Sequence, residues 1–285
     1  MKRKCPKCFI PASECLKIGF FKRKSDARVL QRYRCKSCAR TFSQATWQLC
    51  YRQKKRRINP RVYELLCSGV SQRRIAKLLK INRITVVRKL LFLSGVARVE
   101  NENVFKASSL CKEIQFDDLE TIEHTKCKPL SLTLAVEKDS RRILAFHVSR
   151  MPAKGHLAKI SRRKYGRRPD ERPRGWDNMF SKLSIKDHSD LVIRSDENPH
   201  YRRFVKKWCP KASYQTAPGQ RGSVSGQGEL KKIGFDPLFS INHTFAMCRA
   251  NINRLFRKTW CTTKRPDRLG CHLDLYVNYH NNVLI

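Results

Sequence analysis

Acidic residues are scarce in this chain: 23 Asp and Glu face 62 Lys and Arg among 285 residues, a formal net charge of +39. That imbalance sets the chain apart from an ordinary cytosolic enzyme and calls for a polyanionic partner, of which nucleic acid is the default. Long apolar runs are also missing. None approaches the roughly 20 residues a membrane span needs, and the opening Met1, Lys2, Arg3 and Lys4 carry no apolar signal-peptide core. The expected location is cytoplasmic, with no membrane partner. No basic amphipathic helix stands apart from a folded segment, which disfavours a membrane-surface role. Solenoid-period repeats and long low-complexity tracts are absent too, so the length suits one moderate domain with one or two small ones.

Cysteine, by contrast, is plentiful at 13 residues. In a reducing compartment, clustered cysteines read as metal ligands and scattered ones as small apolar residues. Cys5 and Cys8 form one C-x-x-C pair, Cys35 and Cys38 another, with 26 residues between them. Each pair makes a tight turn that presents two sulfurs to one point, and four thiolates at this spacing surround a tetrahedral Zn²⁺. Strand-like residues 18–21 and 29–33 lie between, so residues 1–50 read as a zinc ribbon. Such a small unit depends on its metal to fold. A redox-active or idle pair is the alternative. Four sulfurs leave no open coordination position, so the zinc is structural and the basic surface around it is a nucleic-acid grip. Cys15 and Cys50 lack partners at ligand spacing and read as packing residues.

Residues 51–57 are a basic run, expected to link domains and touch phosphate. Residues 51–97 then read as a helix-turn-helix DNA-binding domain. Asn59 and Pro60 start one helix, Gly69 ends it, Ser71 caps a second and Asn82 opens a third. The third helix, with Ile84, Val87, Leu90 and Leu91 at helical spacing, is the one expected in the major groove. Arg83, Thr85, Arg88 and Lys89 are its candidates for base or phosphate contact. A plain three-helix bundle with a basic surface is the alternative.

Residues 98–109 are polar and break the periodic pattern, which sets a boundary before a third domain at 110–285. Three strands open it, at 114–124, 130–136 and 141–148. Residues 155–184 suggest a helix over the sheet followed by a loop. A fourth strand ends at Asp196, a helix and a fifth strand follow, and residues 218–228 read as a flexible loop. A long helix over 241–260 and a short one over 269–278 close the chain. Asp117 and Asp118 sit in the middle of the first strand. A buried carboxylate there needs a compensating charge, and a metal ion is the usual one. Three strands followed by alternating helices and strands describe an α/β, ribonuclease-H-like fold. In that fold an acid midway along the first strand lies beside one at the end of the fourth. A third ligand from the last long helix completes a site for two divalent ions, for which Mg²⁺ or Mn²⁺ is suited.

The patterns Asp117, Asp118, Thr121, Glu123, His124, then Ser195, Asp196, Pro199, Tyr201, then Asn253 through Thr259 resemble those of DDE-type transposases of bacterial insertion sequences, in the group of insertion sequence one and its relatives. The ribbon and helix-turn-helix ahead of them match as well, so the resemblance spans nearly the whole chain. It implies a protein that binds the terminal inverted repeats of a mobile element in double-stranded DNA, cleaves strand ends and joins 3′-hydroxyls to target DNA. It also implies a homo-oligomer, because two ends are joined in concert. Carried over, Asp117 and Asp196 become the first two metal ligands, and Asp118 is secondary. Asn242 stands where the family has Glu, and some relatives use Asn there. Arg249 falls where the family has a basic, DNA-contacting residue. Glu229 and Asp236 are lower-ranked third ligands. The alternative from a different class is a catalytically inactive, domesticated regulator that still binds DNA.

Overall fold

The computed structural model describes residues 4–24, 26–107, 111–183, 187–218, 236–256 and 259–285. The chain divides into two compact units, Met1–Arg61 and Val62–Ile285.

The first unit is built on an antiparallel sheet in the order β1 (Cys15–Lys22), β2 (Val29–Cys35), β3 (Thr41–Ser43). Its core is Cys5, Cys15, Tyr33, Cys35 and Phe42, with the Tyr33 and Phe42 rings stacked at 5.4 Å. So few apolar side chains bury too little surface to hold a fold of this size without help. Gly19, at φ +94°, sits in a register shift of β1 between Lys17 and Phe20. At the loop after β1, Arg23 grips Asp26 with two hydrogen bonds, of 2.7 and 2.5 Å, and Arg56 adds another.

The boundary falls in the first turn of α1 (Asn59–Cys67), and α2 (Gln72–Leu78) and α3 (Arg83–Ala107) follow in the second unit. Ser71 caps α2 by accepting the Arg74 N–H at 3.3 Å, and Asn82 accepts the Ile84 N–H at 2.8 Å at the start of α3. Of the polar break expected over 98–109, the described residues 98–107 are instead the last turns of α3. Its polar residues are pairing groups, not loop signals. Arg98 holds Asp274 at 2.6 Å, Asn101 donates to the Asp274 carbonyl at 2.9 Å, and Glu100 accepts from Asn278 at 3.1 Å. Asp274 and Asn278 belong to α8 (Pro266–Tyr279), and Tyr63 of α1 also donates to Asn278, at 2.8 Å. This polar seam joins α1 and α3 to the sheet-bearing part of the same unit.

The sheet of this unit has the order β6-β5-β4-β7-β8, where β4 is Glu113–Ile122, β5 Pro129–Glu137, β6 Ile143–Arg150, β7 Val192–Ser195 and β8 Ser213–Thr216. β4, β5 and β6 form an antiparallel meander, while β7 and β8 run parallel to β4. The molecule is therefore mixed α/β with a mixed sheet. Between β6 and β7 lie α4 (His156–Tyr165) and α5 (Arg172–Lys182), so the loop expected after the first helix is a second helix. Trp176, Met179 and Phe180 give α5 an apolar face at helical spacing, which it buries against Phe116 and Ile114 of β4 and against Tyr201, Phe204 and Val205 of α6 (Tyr201–Trp208). On the opposite face of the sheet, α7 (Phe239–Asn251) packs on β4 and β5.

The helix expected over 241–260 stops at Asn251 because its end is claimed by the turn between α1 and α2. The Asn251 carbonyl accepts the Gly69 N–H at 2.6 Å, and the Asn253 amide donates to the Gly69 carbonyl at 3.2 Å. Gly69 has φ +71°, and a Cβ there would stand 2.9 Å from the Phe256 ring and 3.0 Å from the Ala250 carbonyl. Backbone conformation and close approach both demand glycine. Gly69→Ala is expected to lower the urea midpoint of this unit by an amount equal to about 2–4 kcal/mol, with an unchanged m-value.

Candidate active site and metal cluster

Side chains alternate along β4, and the neighbours of each face show where they point. Gln115 faces α7: its amide donates to the Pro237 carbonyl at 3.0 Å and its oxygen accepts the Ile241 N–H at 3.2 Å. Asp117, two residues on, lies on that same face. The parallel ladder of β4 and β7 ends at Gln115 opposite Arg194. Two residues beyond each of these are Asp117 and Asp196, so the register sets the two carboxylates side by side. The Asp117 carboxyl is pushed up to about 7, first by burial and then by the negative charge of Asp196.

The two oxygens of Asp117 differ. Oδ1 accepts the Asp118 N–H at 2.6 Å and the Tyr201 hydroxyl at 3.4 Å. Oδ2 accepts no hydrogen bond among the described residues. Tyr201 is buried, and burial with the three nearby aspartates drives its phenol far above the ordinary range. It therefore stays protonated and serves as a donor. Asp196 accepts the Asn198 N–H at 3.1 Å, while Ser195 donates to the Asp196 carbonyl at 2.8 Å and meets the Tyr214 hydroxyl at 2.6 Å.

Asp118 points the other way. It accepts hydrogen bonds from Thr133, its cross-strand partner, and from Trp176 Nε1 at 3.0 Å. Burial raises its carboxyl although these donors oppose the shift. The Trp176 ring meets Tyr201 edge-on at 5.3 Å, so Asp118 orders the aromatic group that reaches Asp117. Tyr201 is visible in the motif after Asp196, but Thr133 and Trp176 carry no signal of this contact in the sequence.

Asn242 lies exposed on α7, and its amide nitrogen donates to Asp236 at 2.9 Å. Asp236 is itself occupied at the start of α7, accepting the Leu238 N–H at 2.9 Å. Glu229 falls outside the described residues. Arg249 is half-buried in the last turn of α7. On α3, Arg83 and Arg88 are exposed and Thr85 is half-buried. Lys89 is 3% exposed and lies on the inner face of the helix, so it cannot share their surface. Ile84, 56% exposed beside Arg83, is a surface residue, although its spacing with Val87 and Leu91 suggests an inward face.

In the first unit the sulfurs of Cys8 and Cys35 are 3.3 Å apart, those of Cys5 and Cys38 3.5 Å, and those of Cys8 and Cys38 3.6 Å. All four lie within 4.8 Å of one another, the one group of three or more His, Cys, Asp or Glu donors so gathered among the described residues. A tetrahedral zinc with bonds of about 2.3 Å sets sulfurs about 3.8 Å apart, so this donor set could hold a zinc ion. The two knuckles are alike. Cys5 N–H reaches the Ile10 carbonyl at 2.7 Å and Cys35 N–H the Arg40 carbonyl at 3.0 Å. The residues after each second cysteine, Phe9 and Ala39, are both left-handed, at φ +60° and +53°. The backbone N–H of Cys38 draws the Cys35 thiol down to about 6, whereas the hydrogen bond shared with Cys35 pushes Cys8 up to about 12.

Comparison of the sequence with models of known protein families and with curated proteins finds no match. No helix among the described residues is long and apolar enough to cross a membrane.

Two outcomes are expected. Ala39→Gly removes a side chain from a left-handed position and should stabilise the ribbon by about 1 kcal/mol, while Cys35→Ser should lose zinc, both read by metal analysis during urea unfolding. An aspartate of about 3.9 unfolded and about 7 folded costs the fold nothing below about pH 4. The penalty grows with pH and is complete above about pH 7. Asp117→Asn, measured without divalent cations, should therefore raise Tm at pH 8 and leave it unchanged near pH 4.

Proposed function

We propose that this chain is a DDE-type DNA transposase with a ribonuclease-H-like catalytic sheet. One observation carries the reading: an aspartate in β4 and one just past the end of its parallel neighbour β7 are set together by the strand register, in a chain of net charge +39. Asp117 feels the negative charge of Asp196, and the oxygen donors of such a pair suit hard divalent cations such as Mg²⁺ or Mn²⁺. When bound, such ions clamp the attacking and leaving oxygens of a phosphodiester.

The residues divide the remaining work. Tyr201 and the Asp118 N–H occupy Oδ1 of Asp117 and leave Oδ2 available beside Asp196. Arg83 and Arg88, both exposed on α3, would hold duplex DNA at the element's ends, together with Thr85. The ribbon and its zinc add a second nucleic-acid contact. A homo-oligomer on paired ends follows from the need to join two ends together. The protein would act in the cytoplasm on element and target DNA. Asn242, the third-ligand candidate, carries no charge, and its amide nitrogen is engaged by Asp236; the missing charge favours the second reading, a DNA-binding regulator without chemistry.

Cleavage of a labelled DNA end taken from the sequence flanking the gene, in Mg²⁺ or Mn²⁺, separates the two. The wild type should cut, Asp196→Ala should lose about 10²–10³-fold or more, and Asn242→Ala should lose activity if its amide oxygen is the third ligand. A wild type that binds the end and never cuts would establish the regulator.

A further inference from the structure

The first unit shows its aromatic rings to solvent in an arrangement that duplex binding does not explain. Its strand β1 is an edge strand with every residue after Cys15 exposed. The register pairs Lys17 with Tyr33, Phe20 with Gln31 and Lys22 with Val29. Positions 29, 31 and 33 of β2 alternate onto one face, so their partners Lys17, Phe20 and Lys22 share that face too. In a regular strand Lys17 and Phe20 would point to opposite sides. The irregularity at Gly19 is what sets a phenylalanine between two lysines. The Phe20 ring is 68% exposed.

Phe9 makes the same point independently. Its backbone is left-handed at φ +60°, where a side chain costs about 1–2 kcal/mol and glycine fits without strain. Packing does not offset that cost, because Phe9 is 62% exposed. A bulky aromatic held at an unfavourable backbone position and left in solvent points to contact with something else.

Charge identifies the chemistry of that partner. Residues 1–61 contain nineteen Lys and Arg and two acids, Glu14 and Asp26, and Asp26 is already held by Arg23 and Arg56. The field is that of a polyanion binder. It also opposes pairing of β1 with the same strand of a second copy, which carries the same charge. Phosphates of a duplex need only the cations, whereas exposed rings among cations match a backbone whose bases are unstacked and open.

We propose that the ribbon binds single-stranded DNA, stacking unpaired bases on Phe20 and Phe9 while Lys17 and Lys22 hold the phosphates on either side. This rests on the nucleic-acid part of the reading above and not on cleavage.

The test uses the full zinc-loaded chain in Mg²⁺-free buffer. Fluorescence anisotropy compares a dye-labelled mixed-sequence oligonucleotide as a single strand and as a duplex. Phe20→Ala and Phe9→Gly should each weaken single-strand binding by about 5- to 150-fold and leave duplex binding within about twofold. Phe20→Trp should bind the single strand at least as tightly as the wild type. Phe9→Gly separates binding from folding, since it relieves the left-handed backbone and should hold zinc at least as well. Equal losses on both DNA forms, or no loss on the single strand, would overturn the proposal. If binding depends on the rings but the wild type never cuts DNA, the ribbon assignment stands and the transposase reading fails. If the wild type cuts DNA and binding is independent of the rings, the transposase reading stands and the ribbon assignment fails.

Discussion

The parallel pairing of β4 with β7 is the constraint on which the candidate site depends. It converts two acids nearly eighty residues apart in sequence into neighbours, and it holds them there through a backbone ladder rather than through their own side chains. The arrangement is costly for the fold alone. A carboxylate pushed up to about 7 by burial and by a like charge is stable only because the sheet around it is over-determined. Phe116, Trp176, Phe180, Tyr201 and Phe204 pack the opposite face, and Gln115 pins α7 with two hydrogen bonds. Strain of this kind is tolerated where a ligand relieves it.

The two adjacent aspartates illustrate how a strand separates roles. Asp117 keeps one oxygen uncommitted on the α7 side. Asp118 commits its carboxylate to Thr133 and Trp176 on the other. Equal chemistry is thus divided into a group that can meet a ligand and one that orders the aromatic wall behind it. The connection through Trp176 and Tyr201 back to Asp117 Oδ1 makes α5 and α6 part of the site although neither carries an acid in it.

Buried polar contacts do similar work at larger scale. Asp274, Asn278 and His272 of α8 bind Arg98, Glu100, Tyr63 and Gln72, and Gly69 closes against the end of α7. The helices that carry Arg83 and Arg88 therefore belong to the same compact unit as the paired aspartates. Each of these bonds needs its partner, because a polar group left alone in such a seam costs more than the bond itself contributes. The first unit solves the opposite problem. It has little apolar surface to bury, so four sulfurs supplement a core built on Tyr33 and Phe42, while Phe9 and Phe20 remain on the surface.

By itself, the sequence determined what short-range spacing encodes. The two C-x-x-C pairs specify the sulfur cluster because each knuckle is a local turn. Alternating apolar residues specify β4, β5 and β6, and Ser71 and Asn82 mark the starts of α2 and α3. Long-range packing decided the rest. Residues 98–109 read as a break because the partners of Arg98, Glu100 and Asn101, in Asp274 and Asn278, lie far along the chain. The α5 helix was obscured by its Arg and Pro content, although Trp176, Met179 and Phe180 held the pattern. Lys89 is buried and Ile84 exposed because the packing of α3, not its composition, set the rotation of its faces. Asn242 turns to Asp236 for the same kind of reason. Spacing in sequence places a residue on a helix, whereas the neighbours of that helix decide what the residue faces.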